Sequence, residues 1–152
     1  MTDPLTYPST TPRYSLPFLF AGQAQKEVTV NAAHALIDLL LHPTVEGEAD
    51  APPSEPGQGQ CWLVGSEPSG GFAGHAHSLA GFIDGTWIFA APREGLRVYD
   101  RTAGQFLVYS NGWQRLADPD LPTGGTVVDQ EARGTIATLI QALRGAGIFP
   151  AG

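Results

Sequence analysis

Two dipeptides, Asp84-Gly85 and Asn111-Gly112, constrain this chain more than any other feature. Each stands between short runs of β-forming residues: Leu79 to Ile83 and Thr86 to Ala90 around the first, Phe106 to Tyr109 and Trp113 to Leu116 around the second. Tight hairpin turns need positive φ at their central positions, which Asp, Asn and Gly tolerate best. Both units therefore read as β-hairpins with shared punctuation: an aromatic three residues before the glycine (Phe82, Tyr109) and a tryptophan after it (Trp87, Trp113). Gln60 to Val64 and Leu96 to Asp100 supply further strands, and the expected result is a twisted antiparallel sheet of about five or six short strands. Alternation puts Trp87 with Phe89, and Leu96 with Val98, on a face for a helix to cover; Arg97, Tyr99 and Arg101 fall on a wet face, a candidate binding surface.

Two helices bracket that sheet. The first follows the short apolar run Leu16 to Phe20 and is expected over about Gln23 to Leu41, stopping before Pro43, which disfavours helix in the residue ahead of it. Ala24, Val28, Ala32, Ala35, Leu36, Leu39 and Leu40 recur at helical spacing. The stripe is small at its start, so close approach to the sheet, to the last helix or to another copy would cover it. Opposite lie Glu27, Asn31, His34 and Asp38, a polar line without the paired pattern of a metalloprotease helix. The second helix starts near Thr126 or Asp129, carries Ala132, Ile136, Leu139, Ile140 and Leu143 as its apolar stripe, and stops at Gly145 or Gly147. Gly134 inside it lowers its intrinsic stability by about 1 kcal/mol relative to alanine, so packing within or between chains must hold it.

The remaining stretches are connective. Residues 1–15 hold three prolines, four threonines and two tyrosines without periodicity, a composition that cannot bury enough surface to fold alone. They read either as a frayed terminus or as an extended arm with Tyr7 and Tyr14 as anchors, continued by Leu16 and Phe18. Residues 44–58 (TVEGEADAPPSEPGQ) read as an exposed acidic connection, and residues 66–77 as a flexible glycine-rich loop. Residues 118–125 (DPDLPTGG) form a linker. The expected organisation is α+β: arm 1–15, helix-plus-sheet domain 16–117, linker 118–125 and helical segment 126–152.

Charge and cysteine usage exclude several classes. A net charge of −7, with one lysine and seven arginines, argues against a nonspecific grip on nucleic acid. The single cysteine, Cys61, rules out an intrachain disulfide and a cysteine-rich zinc site. No signal-peptide pattern and no run of about 18 apolar residues is present, so neither standard secretion nor a membrane span is expected.

The run LPFLFAGQAQKEVTVNAAHALIDLL, followed by GFAGHAHSLAGFIDGTWIFAAPREG and the carboxy-terminal helix, resembles a family encoded in prophages and gene-transfer-agent clusters. The resemblance covers nearly the whole chain. It implies a component of a virus-like particle, such as a head spike or fibre, and brings no catalytic residues with it.

Chemistry is sparse in the residues themselves. His75 and His77 form an HxH pair without a third histidine, Cys61 lies in an apparent core strand, and no nucleophile elbow or Walker loop is present. The expectation is a non-enzymatic protein without metal or cofactor. It would be made in the bacterial cytoplasm, act in a virion as a homo-oligomer, and join capsid to a spike or fibre protein. Val28, Ala32, Ala35, Ile136, Leu139, Ile140 and Leu143 are its candidate oligomer interface, and Tyr7, Tyr14, Leu16 and Phe18 its candidate docking residues. The alternative is recognition of cell-surface or capsular polysaccharide through Trp87, Tyr99, Tyr109 and Trp113, aromatic faces of the kind that stack on sugars.

Overall fold

The computed structural model describes residues 16–19, 22 and 24–151, leaving Tyr7 and Tyr14 outside the described residues. The elements run α1 (Lys26–Leu40), β1 (Thr44–Val45), β2 (Glu48–Ala49), β3 (Cys61–Val64), a 3₁₀ turn (Gly70–Phe72), β4 (Leu79–Ile83), β5 (Thr86–Ala90), β6 (Arg97–Asp100), β7 (Gln105–Tyr109), β8 (Trp113–Gln114) and α2 (Gln130–Gly145). The fold is α+β. Its strands form two four-stranded sheets, in the orders β2-β3-β4-β5 and β1-β6-β7-β8. Both are mixed, because β2 pairs parallel to β3 and β1 parallel to β6.

Residues 44–49 therefore do more than connect. The stretch crosses from one sheet to the other, and Val45 is fully buried between them. A two-residue strand is too short to show alternation, which is why this segment reads as loop from sequence. Thr102 fixes the crossing point by donating its hydroxyl to the Glu46 carbonyl.

The β4–β5 hairpin forms as its turn residues require. Ile83 pairs with Thr86, and Asp84 and Gly85 take φ of 51° and 75°. The second hairpin pairs Tyr109 with Trp113 and so has a three-residue loop, with Asn111 at φ 52°. Between β6 and β7 the Asp100 carboxylate accepts the backbone N–H groups of Thr102 and Ala103, closing an Asx turn. Gly104 completes it at φ 65°; a Cβ there would lie 2.7 Å from Ala151 Cβ, so the position excludes other residues twice over.

The main core lies between the sheets: Val45, Leu63, Leu79, Ala90, Val98 and Leu107, closed by Leu39 of α1. Helix α1 packs on the β4–β5 face that carries Gly81 and Ile88, where Leu39 comes within 3.0 Å of the Cβ position of Gly81. The face of Trp87 and Phe89, expected beneath a helix, is instead covered by the glycine-rich loop. That loop folds Phe72 into a second core with Val64, Ala80, Trp62, Trp87 and Phe89. Phe72 is its one fully buried side chain, and Asp50 holds the start of the loop by accepting the Glu67 and Ser69 N–H groups.

Helix α2 is well terminated and lightly held. Asp129 caps it by accepting the Ala132 N–H. At the other end Gly147 (φ 70°) and Ile148 donate to the carbonyls of Arg144 and Leu143, a Schellman motif. The tail then runs beside the second sheet: Phe106 N–H donates to the Gly147 carbonyl and Ala151 N–H to that of Ala103. Arg144 pairs with Asp118, a contact that raises the already high pKa of the guanidinium and fastens helix to linker.

Candidate interaction surfaces

The first surface is the exposed side of α1. The predicted stripe is covered only toward the end of the helix; nearer its start the half-buried residues are Thr29, Val30 and Ala33. Ala24 and Ala32 are exposed, Val28 is 61 % exposed, Ala35 is half-buried, and Leu39 alone of the predicted stripe is fully inside. Beside them Asn31, His34, Ala35, Ile37, Asp38, Leu41 and Ile83 line a shallow apolar groove. The leader that precedes it is partly packed, with Leu16 and Phe18 half-buried and both in contact with neighbours.

The second surface is the outer side of α2. Leu139 is 57 % exposed and Ile136 41 %, whereas Ile140 is 6 % exposed, beside a cleft it lines with Pro119 and Leu121. Ile140 is thus a side chain of its own protomer's interior, and Leu143 is half-buried. Val128, Ile136 and Leu139 remain on offer to a partner.

The third surface is a groove on the outer face of the second sheet, about 580 Å³ in volume, lined by Leu40, His42, Pro43, Thr44, Gly95, Leu96, Arg97, Tyr99 and Phe106. Tyr99 and Phe106 are cross-strand partners whose rings meet edge to face, centroids 5.1 Å apart. The Arg97 guanidinium lies over the Phe106 ring at 5.1 Å. Arg101, read with Arg97 as part of a wet face, pairs with Glu46 at 2.8 Å. His42 enters the groove from the end of α1, where it takes φ 54°.

The four aromatic residues singled out for sugar stacking are dispersed. Trp87 packs edge-on against Phe72, centroids 5.0 Å apart, and beside Phe82 at 5.1 Å. Trp113 packs on the main core, donates its indole N–H to the His77 carbonyl at 2.8 Å and meets Tyr109 at 5.3 Å. Tyr99 sits on the opposite face of the second sheet, since strand alternation separates it from Tyr109. Phe106 and His42 complete the groove. Phe106 was legible only as a strand residue, and His42 only as a helix-end residue.

The titratable groups do not converge. His75 stacks on Phe89 at 3.7 Å, and His77 turns through φ 63°. The two lie in turns on different neighbours and not side by side on a strand. Among the described residues no group of three or more His, Cys, Asp or Glu is placed to hold a metal ion. Burial raises the Cys61 pKa above the ordinary thiol value, and the charges of Asp38 and Glu46 raise it further. The thiolate fraction at neutral pH is thereby reduced. Alkylation by iodoacetamide should accelerate with pH later than that of a free cysteine; a midpoint at or below the free-thiol value would contradict this packing. No helix among the described residues is long and apolar enough to cross a membrane.

A search of curated proteins returns no match. A family model matches residues 30–114, a span that takes in most of α1 and all eight strands and stops before α2, short of the carboxy-terminal helix to which the resemblance extends. Covering more than half of the sequence, that match identifies the chain as a member of the family described as protein of unknown function, DUF2793.

Proposed function

We propose that this protein is a non-enzymatic, homo-oligomeric building block of a phage-like particle, a base that attaches a spike or fibre to a capsid. The observation that carries the reading is the apolar side of α2. It is a capped, properly terminated helix whose Leu139 and Ile136 are exposed, as is Val128 just ahead of its cap, and it is fixed to the body through Ile140, its tail and one ion pair. Soluble chains rarely leave such stripes uncovered, and Ile37 with Leu41, one turn on at the end of α1, adds a second exposed apolar pair. The resemblance to prophage and gene-transfer-agent proteins supplies the setting. In this scheme the leader, with Tyr7 and Tyr14, docks on the capsid, and several weak linear contacts on one ring reinforce each other.

Deleting residues 1–15 should leave the oligomer intact by light scattering and abolish its recovery with particles. Unchanged recovery would reject the division of roles.

Recognition of capsular polysaccharide is favoured by one observation alone, the half-buried Tyr99 in its open groove. Trp87 and Trp113 serve packing. A glycan array that shows binding lost with Tyr99→Ala, and kept with an Ile136→Ser, Leu139→Ser variant, would make this the better reading.

A further inference from the structure

Charge is distributed unevenly along the sequence. Residues 27–92 carry eight carboxylates and neither lysine nor arginine, whereas residues 93–151 carry six arginines and six carboxylates. In the fold this divides the molecule: the first sheet and its loops are acidic, and the groove of the second sheet holds Arg97 and His42 with no carboxylate in its lining. Among the described residues Arg97 has no ion-pair partner; its guanidinium is engaged by the Phe106 ring alone.

The acidic side presents a matching element. Between β2 and β3 the loop Ala51–Pro56 contains Pro52, Pro53 and Pro56, with Ser54 and Glu55 exposed. The prolines fix φ at their own positions and the chain bends at Ser54 and Glu55, so the loop is a stiffened, bent projection with Glu55 exposed on it, and little ordering cost attends its docking. The loop is held at both ends. Asp50 accepts the Glu67 N–H through its side chain and the Ser69 N–H through its carbonyl, Pro52 packs on Gly70 and Gly71, and Gly57 with Gln60 closes the exit. Glu55 is likewise without an ion-pair partner among the described residues.

We infer that the groove of Tyr99, Phe106 and Arg97 receives the Pro53–Pro56 loop of a second copy, with Glu55 of one copy meeting Arg97 of the next. Loop and groove belong to different sheets, so the contact is heterologous, and repetition closes a ring or extends a file. The inference rests on the homo-oligomeric base proposed above and names the surfaces that would build it.

Sedimentation of the full chain tests it. Arg97→Glu and Glu55→Arg should each weaken association at least about tenfold, and the double variant should recover most of it, because the pair is only reversed. Both residues are exposed, and circular dichroism verifies that each variant is folded. Association that is insensitive to both single changes, or not recovered in the double variant, overturns the docking and leaves the base reading standing. A wild-type chain that stays monomeric at every concentration overturns both.

Discussion

Phe72→Ala should be the most damaging single substitution in the described fold, lowering stability by about 3–5 kcal/mol. Phe72 is the largest of the fully buried side chains, and it carries the loop between β3 and β4 into the second core, where His75 of the same loop stacks on Phe89. Its ring meets Trp87 at 5.0 Å and Phe89 at 6.0 Å, both near perpendicular, so truncation removes two edge-to-face contacts as well as buried area. A domain of this size is stable by roughly 5–15 kcal/mol, so the loss takes a large share of the total. Urea unfolding should show the midpoint falling with an unchanged slope, and Trp87 emission should move to the red as its covering ring is lost. Phe72→Leu keeps most of the volume and should lose less than about 2 kcal/mol. A loss below about 1 kcal/mol for the alanine variant would mean that the loop is held by something other than this side chain.

That side chain marks the boundary of what the sequence discloses. The hairpins were legible because Asp84-Gly85 and Asn111-Gly112 act locally, through backbone conformations few other residues tolerate. The helices were legible from periodicity and from Pro43, Asp129 and Gly147. Illegible were features decided by distant partners. Thr44–Val45 and Glu48–Ala49 become strands only because β6 and β3 offer edges, and this makes both sheets mixed; that there are two, and not the one antiparallel sheet expected from the hairpins, follows from β5 and β6 not pairing. A single phenylalanine among glycines gives no period, so the loop it anchors read as flexible.

The stripe on α1 holds its predicted phase at Ala35, Leu36, Leu39 and Leu40, but nearer the start burial passes to Thr29, Val30 and Ala33, because periodicity is local and the packing that selects the covered face is not. For the candidate surfaces the same distinction holds. Trp87, Tyr99, Tyr109 and Trp113 are chemically alike as letters, and register alone sends Trp113 and Tyr109 inward and Tyr99 out to the groove. Ile140 shares its helix with Leu139, yet a rotation of one residue moves it from the exposed stripe to the interior.

Asp100→Ala is expected to follow Phe72→Ala in effect, at about 3 kcal/mol. The carboxylate is almost entirely buried. One oxygen accepts the N–H groups of Thr102 and Ala103 at 2.9 and 3.1 Å, and the other accepts Arg115 Nη2 at 3.1 Å. Arg115 also donates to Glu48 of β2 at 2.9 Å, so one guanidinium connects β6 in the second sheet to β2 in the first. Alanine would leave two turn donors and a cation short of their acceptor, and breaking a buried pair in this way destabilises by about 3–5 kcal/mol. The lower end applies because the Arg115 side chain is 36 % exposed and regains water. The Glu48 side chain is 42 % exposed, so Glu48→Ala, which removes the outer half of the same bridge, should lose less than about 1 kcal/mol. Double-mutant cycles separate the two: the Asp100–Arg115 coupling should exceed the Glu48–Arg115 coupling by a factor of two or more on the scale of about 0.5–3 kcal/mol that contacting residues show. Equal couplings would place the worth of Asp100 in its turn alone and leave the sheets joined by Val45 and the buried core, without help from the guanidinium.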